Sequence, residues 1–269
     1  MIRRDTLAAI LFLAVMFMTS CAATQIVSAH FASTDHFVSL AADNRIKYEP
    51  GAENFAALVS PALDQAIRQV EAKQYRPFPS PLVIYVCNTP KSFARLSGQK
   101  ETIRGGVHPT QGLFLNPILL NRPATIALVL THELSHLHLN QRQQMNFVDY
   151  PAWFNEGLAT FVSDGSGAEA VSVDQAKQQI AQGKVFPPYQ SGSRLSLDQT
   201  GPIASLTNAS HMFYRQGMMF IAFLKQRDEL RFTQFLLDLQ DGEFFSNAFW
   251  RAFDGDVATL QKQFIASLK

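Results

Sequence analysis

Ala124-Thr125-Ile126-Ala127-Leu128-Val129-Leu130-Thr131-His132-Glu133-Leu134-Ser135-His136-Leu137-His138-Leu139 is the stretch on which the fold turns. Apolar residues recur through it at helical spacing, and Asn121-Arg122-Pro123 just before it is a helix-start signal. Within it His132-Glu133-Leu134-Ser135-His136 is an H-E-x-x-H motif. Histidines at i and i+4 project from one helix face, so two imidazole nitrogens can reach one metal ion. Glu133 projects beside that ion, close enough to deprotonate a water there. An apolar helix that spent three polar groups on a buried stripe without partners would be unstable, so a metal gives the motif its purpose. His138 falls on a different face and reads as a surface or cap histidine.

A catalytic zinc site needs a third protein ligand and an open position. Moving outward, the next helical segment begins near Pro151 and passes through Trp153 and Leu158 to Val162. It holds Pro151-Ala152-Trp153-Phe154-Asn155-Glu156-Gly157-Leu158-Ala159, and Glu156 lies 20 positions after His136. One loop and the start of a returning helix fit that spacing, which brings a carboxylate over the two imidazoles. Trp153, Phe154 and Leu158 mark a packed segment in which a free carboxylate would be costly.

These paired motifs resemble the gluzincin metallopeptidases, the group of thermolysin-like enzymes and zinc aminopeptidases. The aminopeptidase pattern W-L-N-E-G-F-A is similar to Trp153-Phe154-Asn155-Glu156-Gly157-Leu158-Ala159 here, and the resemblance spans about residues 80–225. It implies one zinc ion per chain, held by His132, His136 and Glu156, with Glu133 as general base. It also implies an oxyanion donor downstream. Tyr214-Arg215-Gln216-Gly217 is similar to the aminopeptidase Tyr-x-x-Gly, and a phenol can hydrogen-bond developing charge without being charged itself. His211, one turn earlier, is the alternative, because thermolysin-like enzymes use a histidine there. The family's Gly-x-Met-Glu-Asn segment, which binds a free substrate amine, has no counterpart. Residues 105–115 stand in its place, as an edge strand that can pair with substrate backbone. Endopeptidase rather than aminopeptidase activity is therefore expected.

Around this centre the chain divides simply. Strands are expected in 37–48, 81–86, 102–107 and 112–115, and helices in 54–74 and 90–96. Leu58, Leu63, Ile67 and Val70 give the first helix its apolar stripe, with Pro61 near its start. After the zinc motifs come a loop at 163–168, a polar helix over 169–182 and a Gly/Pro/Ser/Thr-rich stretch at 183–208. Three amphipathic segments follow, at 209–227, 229–240 and 244–268. The fold class is α+β: a small mixed sheet with the active-site helix packed on it, then an all-helical C-terminal half. The folded domain spans 37–269, with an α/β zinc-site part at 37–165 and a helical part at 166–269.

At the N-terminus, Arg3 and Arg4 precede an apolar run from Leu7 to Met18, followed by Thr19-Ser20-Cys21. A positive start, a run too short to span a bilayer and small residues before a break describe a secretory signal. Cysteine after Thr-Ser resembles the bacterial lipobox, which implies removal of residues 1–20, acylation of Cys21 and a tether over 21–36. The expected location is the bacterial cell envelope, facing the periplasm or on the outer membrane, with Cys21 as the membrane link. Cys87 ends the apolar run 82–86 and reads as a small buried hydrophobe.

Composition excludes other classes. The chain has 269 residues, 47% hydrophobic and 17% charged, with a formal net charge of +1. That is globular composition, and near-zero charge argues against a surface that tracks nucleic-acid phosphates. The expected partner is a peptide or protein substrate, hydrolysed by water activated at zinc with Glu133 as base. Two rival readings keep the same motif: a non-catalytic envelope scaffold, and a zinc hydrolase of non-peptide amides in cell-wall material.

Overall fold

A computed structural model describes residues 29, 31–108, 111–142, 150–189 and 200–268. The signal segment 1–20, Cys21 and most of the tether lie outside the described residues. No helix among the described residues is long and apolar enough to cross a membrane. The fold is α+β, with a small mixed sheet and many helices.

Strands β1 (Val38–Leu40), β2 (Asp43–Tyr48), β3 (Ile84–Val86), β4 (Gly105–His108) and β5 (Gly112–Leu115) form one sheet in the order β1-β2-β3-β5-β4. β2, β3 and β5 run parallel to one another, while β1 and β4 close the two edges as antiparallel hairpin partners. The central strands β3 and β5 read as continuous apolar runs because Ile84, Val86, Leu113, Phe114 and Leu115 are all fully buried. Tyr85, Cys87 and Phe114 on one face pack with Phe93 and Leu96. The latter two come from helix α2 (Pro90–Ser97), capped by Thr89, which accepts the Ser92 N–H. Cys87 sits there as the expected small hydrophobe, and burial pushes its thiol up, out of reach of physiological ionisation.

The chain forms two compact units. One holds residues up to 57 and 82–121, the sheet among them; the other holds 58–81 and 122–269. The chain passes from one to the other inside helix α1 (Glu53–Gln74). Two features of α1 differ from expectation. Pro61 lies in the helix interior, not at its start. It is on the exposed face, where water can satisfy the Ala57 carbonyl that proline leaves without a donor. Leu58 is 49% exposed, and the buried stripe runs instead through Phe55, Ala56, Val59, Leu63, Ala66 and Val70.

The second unit contains α3 (Ile126–Arg142), α4 (Ala152–Val162), α5 (Val173–Ala181), α6 (Ala209–Arg227), α7 (Glu229–Gln240), α8 (Phe245–Phe253) and α9 (Val257–Ser267). The last expected segment, 244–268, is thus two helices. Asp254 takes the left-handed conformation (φ 52°) that ends α8, and the Asp256 side chain caps α9 by accepting the Thr259 N–H. The polar helix is shorter than expected, starting at 173 because Ser172 and Gln175 form a reciprocal capping box. Aromatic rings fill the interior: Trp153 stacks on Phe186 at 5.7 Å, and Phe154 meets Phe235 edge-on at 5.5 Å.

Candidate metal centre

Helix α3 turns its His132 and His136 side chains toward a single point, one turn apart. Their Nε2 atoms lie 3.2 Å from each other. Glu156 on α4 brings its Oε2 to 3.4 Å from His132 Nε2 and 3.6 Å from His136 Nε2. Among the described residues these three form the one cluster whose donor atoms could share an ion. The spacings decide what kind of cluster it is. A charge-assisted bond between imidazolium and carboxylate closes to about 2.7–2.9 Å, and this carboxylate stays well outside that range. A tetrahedral zinc with bonds of ~2.0–2.1 Å sets its ligand atoms about 3.3–3.4 Å apart. The edges of 3.2, 3.4 and 3.6 Å match that tetrahedral face, so the residues fit zinc.

The surroundings favour the same state. His136 Nδ1 lies 3.2 Å from Asn155 Oδ1, and a proton donated there leaves the Nε2 lone pair aimed at the shared point. His132 is only 6% exposed, and among the described residues its Nδ1 is buried without a hydrogen-bond partner. Burial alone would push the Glu156 carboxyl up, but the charges of His136 and His132 beside it hold it well below the usual carboxylate range. Burial works the other way on His136 and would lower it; the Glu156 carboxylate outweighs that and raises it. The three side chains are mutually dependent, and a cation among them relieves the crowding of lone pairs. Glu133 follows His132 on α3, half-buried, and its charge reaches His136.

Of the two candidates for the oxyanion donor, the structure separates the environments. The Tyr214 ring lies over His132, centroids 5.9 Å apart and planes 22° from parallel. His211 instead directs Nδ1 toward Glu169 Oε2 at 3.5 Å.

Two glycines that sequence reasoning passed over set the geometry of this pairing. Gly157, next to Glu156, lies against Gly217, three residues beyond Tyr214. A Cβ on Gly157 would stand 2.7 Å from the Gly217 carbonyl carbon, and one on Gly217 would stand 2.7 Å from the Trp153 oxygen. α4 and α6 therefore cross backbone to backbone, with Glu156 and Tyr214 each within a turn of the crossing. Asn155 was also missed as a partner of His136. Its place beside the ligand, inside the W-F-N-E-G run, was the available signal.

The far face of α3 corrects another reading. His138 is fully buried and not a surface or cap histidine. Its Nδ1 lies 2.8 Å from Gln74 Oε1 and its Nε2 2.9 Å from the Arg76 carbonyl oxygen. Gln74 in turn donates to Ser135 Oγ at 2.6 Å, inside the H-E-x-x-H motif. Burial pushes the His138 imidazole down to about 4. The polar groups on this face tie down the rotation of α3 that turns His132 and His136 toward their shared point.

No protein-family model and no curated protein matches the chain.

Proposed function

We propose that the protein is a zinc metallopeptidase, an endopeptidase of the gluzincin kind, tethered to the bacterial envelope through acylated Cys21. The observation that carries the reading is the triangle of His132, His136 and Glu156 donor atoms, with edges of 3.2–3.6 Å. Bound there, zinc would polarise a substrate carbonyl and lower the pKa of a water toward ~7.

The chain's own groups do the rest. Glu133 takes the proton from the attacking water and delivers it to the departing amine, so one carboxylate serves as base and then acid. The Tyr214 hydroxyl donates a hydrogen bond to the oxyanion formed at the carbonyl. Asn155 holds the His136 tautomer through Nδ1, and the two-glycine crossing of α4 and α6 holds Glu156 and Tyr214 in register.

The test is zinc content together with cleavage of casein, a broad peptide library and muropeptides. The expected result is one zinc per chain and internal cleavage of peptides, with both lost in His136→Ala. Zinc without cleavage of any substrate would transfer the site to the scaffold reading, and cleavage of muropeptides alone to the cell-wall amide reading. Full zinc occupancy in His136→Ala would overturn the ligand assignment.

A further inference from the structure

Building on the peptidase reading, we propose that Gly167 and its loop are a positioning wall for Tyr214. Bare backbone at 167 lets the Cδ2–Cε2 edge of the phenol ring approach the loop while the ring face lies over His132, so the loop determines where the hydroxyl sits.

Gly167 adopts φ +86°, a conformation that side chains resist, and it does so directly against the ring. A Cβ there would stand 2.2 Å from Tyr214 Cδ2 and 2.7 Å from Cε2. Either the ring or the loop would have to move, and the loop is tied at both ends. At its start, Gln69 Nε2 donates to the Val162 oxygen at 2.6 Å and to Asp164 Oδ2 at 2.9 Å. Lys73 Nζ adds bonds to the Phe161 and Val162 oxygens and to Asp164. At its end, Arg215 Nε donates to the Val171 oxygen at 2.8 Å and Nη2 to the Ala168 oxygen at 3.2 Å. Arg215 directly follows Tyr214, so one turn of α6 both grips the loop and presents the ring to it. Glu169 in the same loop engages His211.

The wall acts through the hydroxyl, which separates it from a general stability effect. The experiment compares full-length wild type, Gly167→Ala, Tyr214→Phe and the double variant. Zinc content, kcat and KM on a cleaved peptide are read beside the Cζ NMR signals of 13C-tyrosine. The Tyr214 signal is identified by its absence from Tyr214→Phe. In Gly167→Ala we expect unchanged zinc, a shifted Tyr214 signal, KM within about twofold and kcat lower by about tenfold or more, since ångström-scale misplacement of a catalytic donor has such costs. The double variant should match Tyr214→Phe, because a wall has nothing to position once the hydroxyl is gone. An unmoved Tyr214 signal, or kcat losses that multiply in the double variant, overturns the proposal. If wild type cleaves no peptide, the peptidase reading fails, and the NMR comparison still decides whether Gly167 places the ring. Should Gly167→Ala fail to fold, Arg215→Gln frees the loop without adding atoms near the ring, and an unmoved signal there is equally fatal.

Discussion

Glu49 in the sheet-bearing unit meets His36 Nε2 at 2.9 Å, whereas Glu156 in the helical unit stands 3.4 and 3.6 Å from two histidine nitrogens. Both carboxyls are pushed up by burial and both end below their ordinary value, but the forces that lower them differ. Glu49 receives the Ser92 hydroxyl, the Asn88 N–H at 2.7 Å and His36. Each partner brings a hydrogen, so the carboxylate is satisfied by the protein itself. Glu156 faces two imidazoles whose nitrogens are also 3.2 Å from each other. One Glu–His contact is closed to hydrogen-bond length and the other is held open. Donor supply and spacing, not residue type, therefore separate the two carboxylates.

The largest effect that sharpens this contrast is on metal affinity. Glu156→Gln should weaken zinc binding by about 10³-fold, a third of the ~10–16 kcal/mol typical of structural zinc sites, measured by chelator competition. Glu49→Gln should leave that affinity unchanged; equal losses in the two variants would erase the distinction. Next comes the face of α3 turned away from the metal. His138→Ala leaves a cavity and strips partners from Gln74 and the Arg76 carbonyl, so urea unfolding should show a loss of about 2–4 kcal/mol. Zinc stoichiometry should stay at one, and its loss would mean that His138 belongs to the metal site.

The smallest effect is the pH dependence of Glu49. Its folded-state carboxyl is depressed below 4.5, so it contributes stability above that pH and loses it as pH falls through the depressed value. Glu49→Gln should cost about 1–2 kcal/mol at pH 7. The gap to wild type should narrow progressively below pH 4.5 in urea melts. A gap that is constant with pH would show that Glu49 acts by packing alone.

The triangle of His132, His136 and Glu156 was legible because its information is local: an i, i+4 pair on an apolar helix and a glutamate in a second packed helix. The element order was legible for the same reason, since strands of continuous apolar residues and helices of period 3.6 announce themselves. What escaped depended on partners distant in sequence. His138 is two residues from a ligand, and nothing nearby shows that Gln74 and Arg76 will enclose it. Pro61 reads as a helix boundary until the exposure of its face is known. Asp254-Gly255-Asp256 was a visible turn signal between α8 and α9 and was outweighed by the apolar periodicity on either side. Gly157, Gly167 and Gly217 carry no side chain to betray a role, and their meaning lies wholly in what they allow to approach.

The central claim is a glutamate-assisted hydrolysis at this site, and Glu133→Gln tests it most directly. Glutamine keeps the size and hydrogen-bonding shape of Glu133 but cannot accept a proton at neutral pH. Zinc content, Tm and peptide turnover would be measured side by side with wild type. The account predicts zinc and Tm near wild type, with turnover lower by at least the ~10²–10⁴ that a general base contributes. Turnover equal to wild type in the zinc-loaded variant would contradict it.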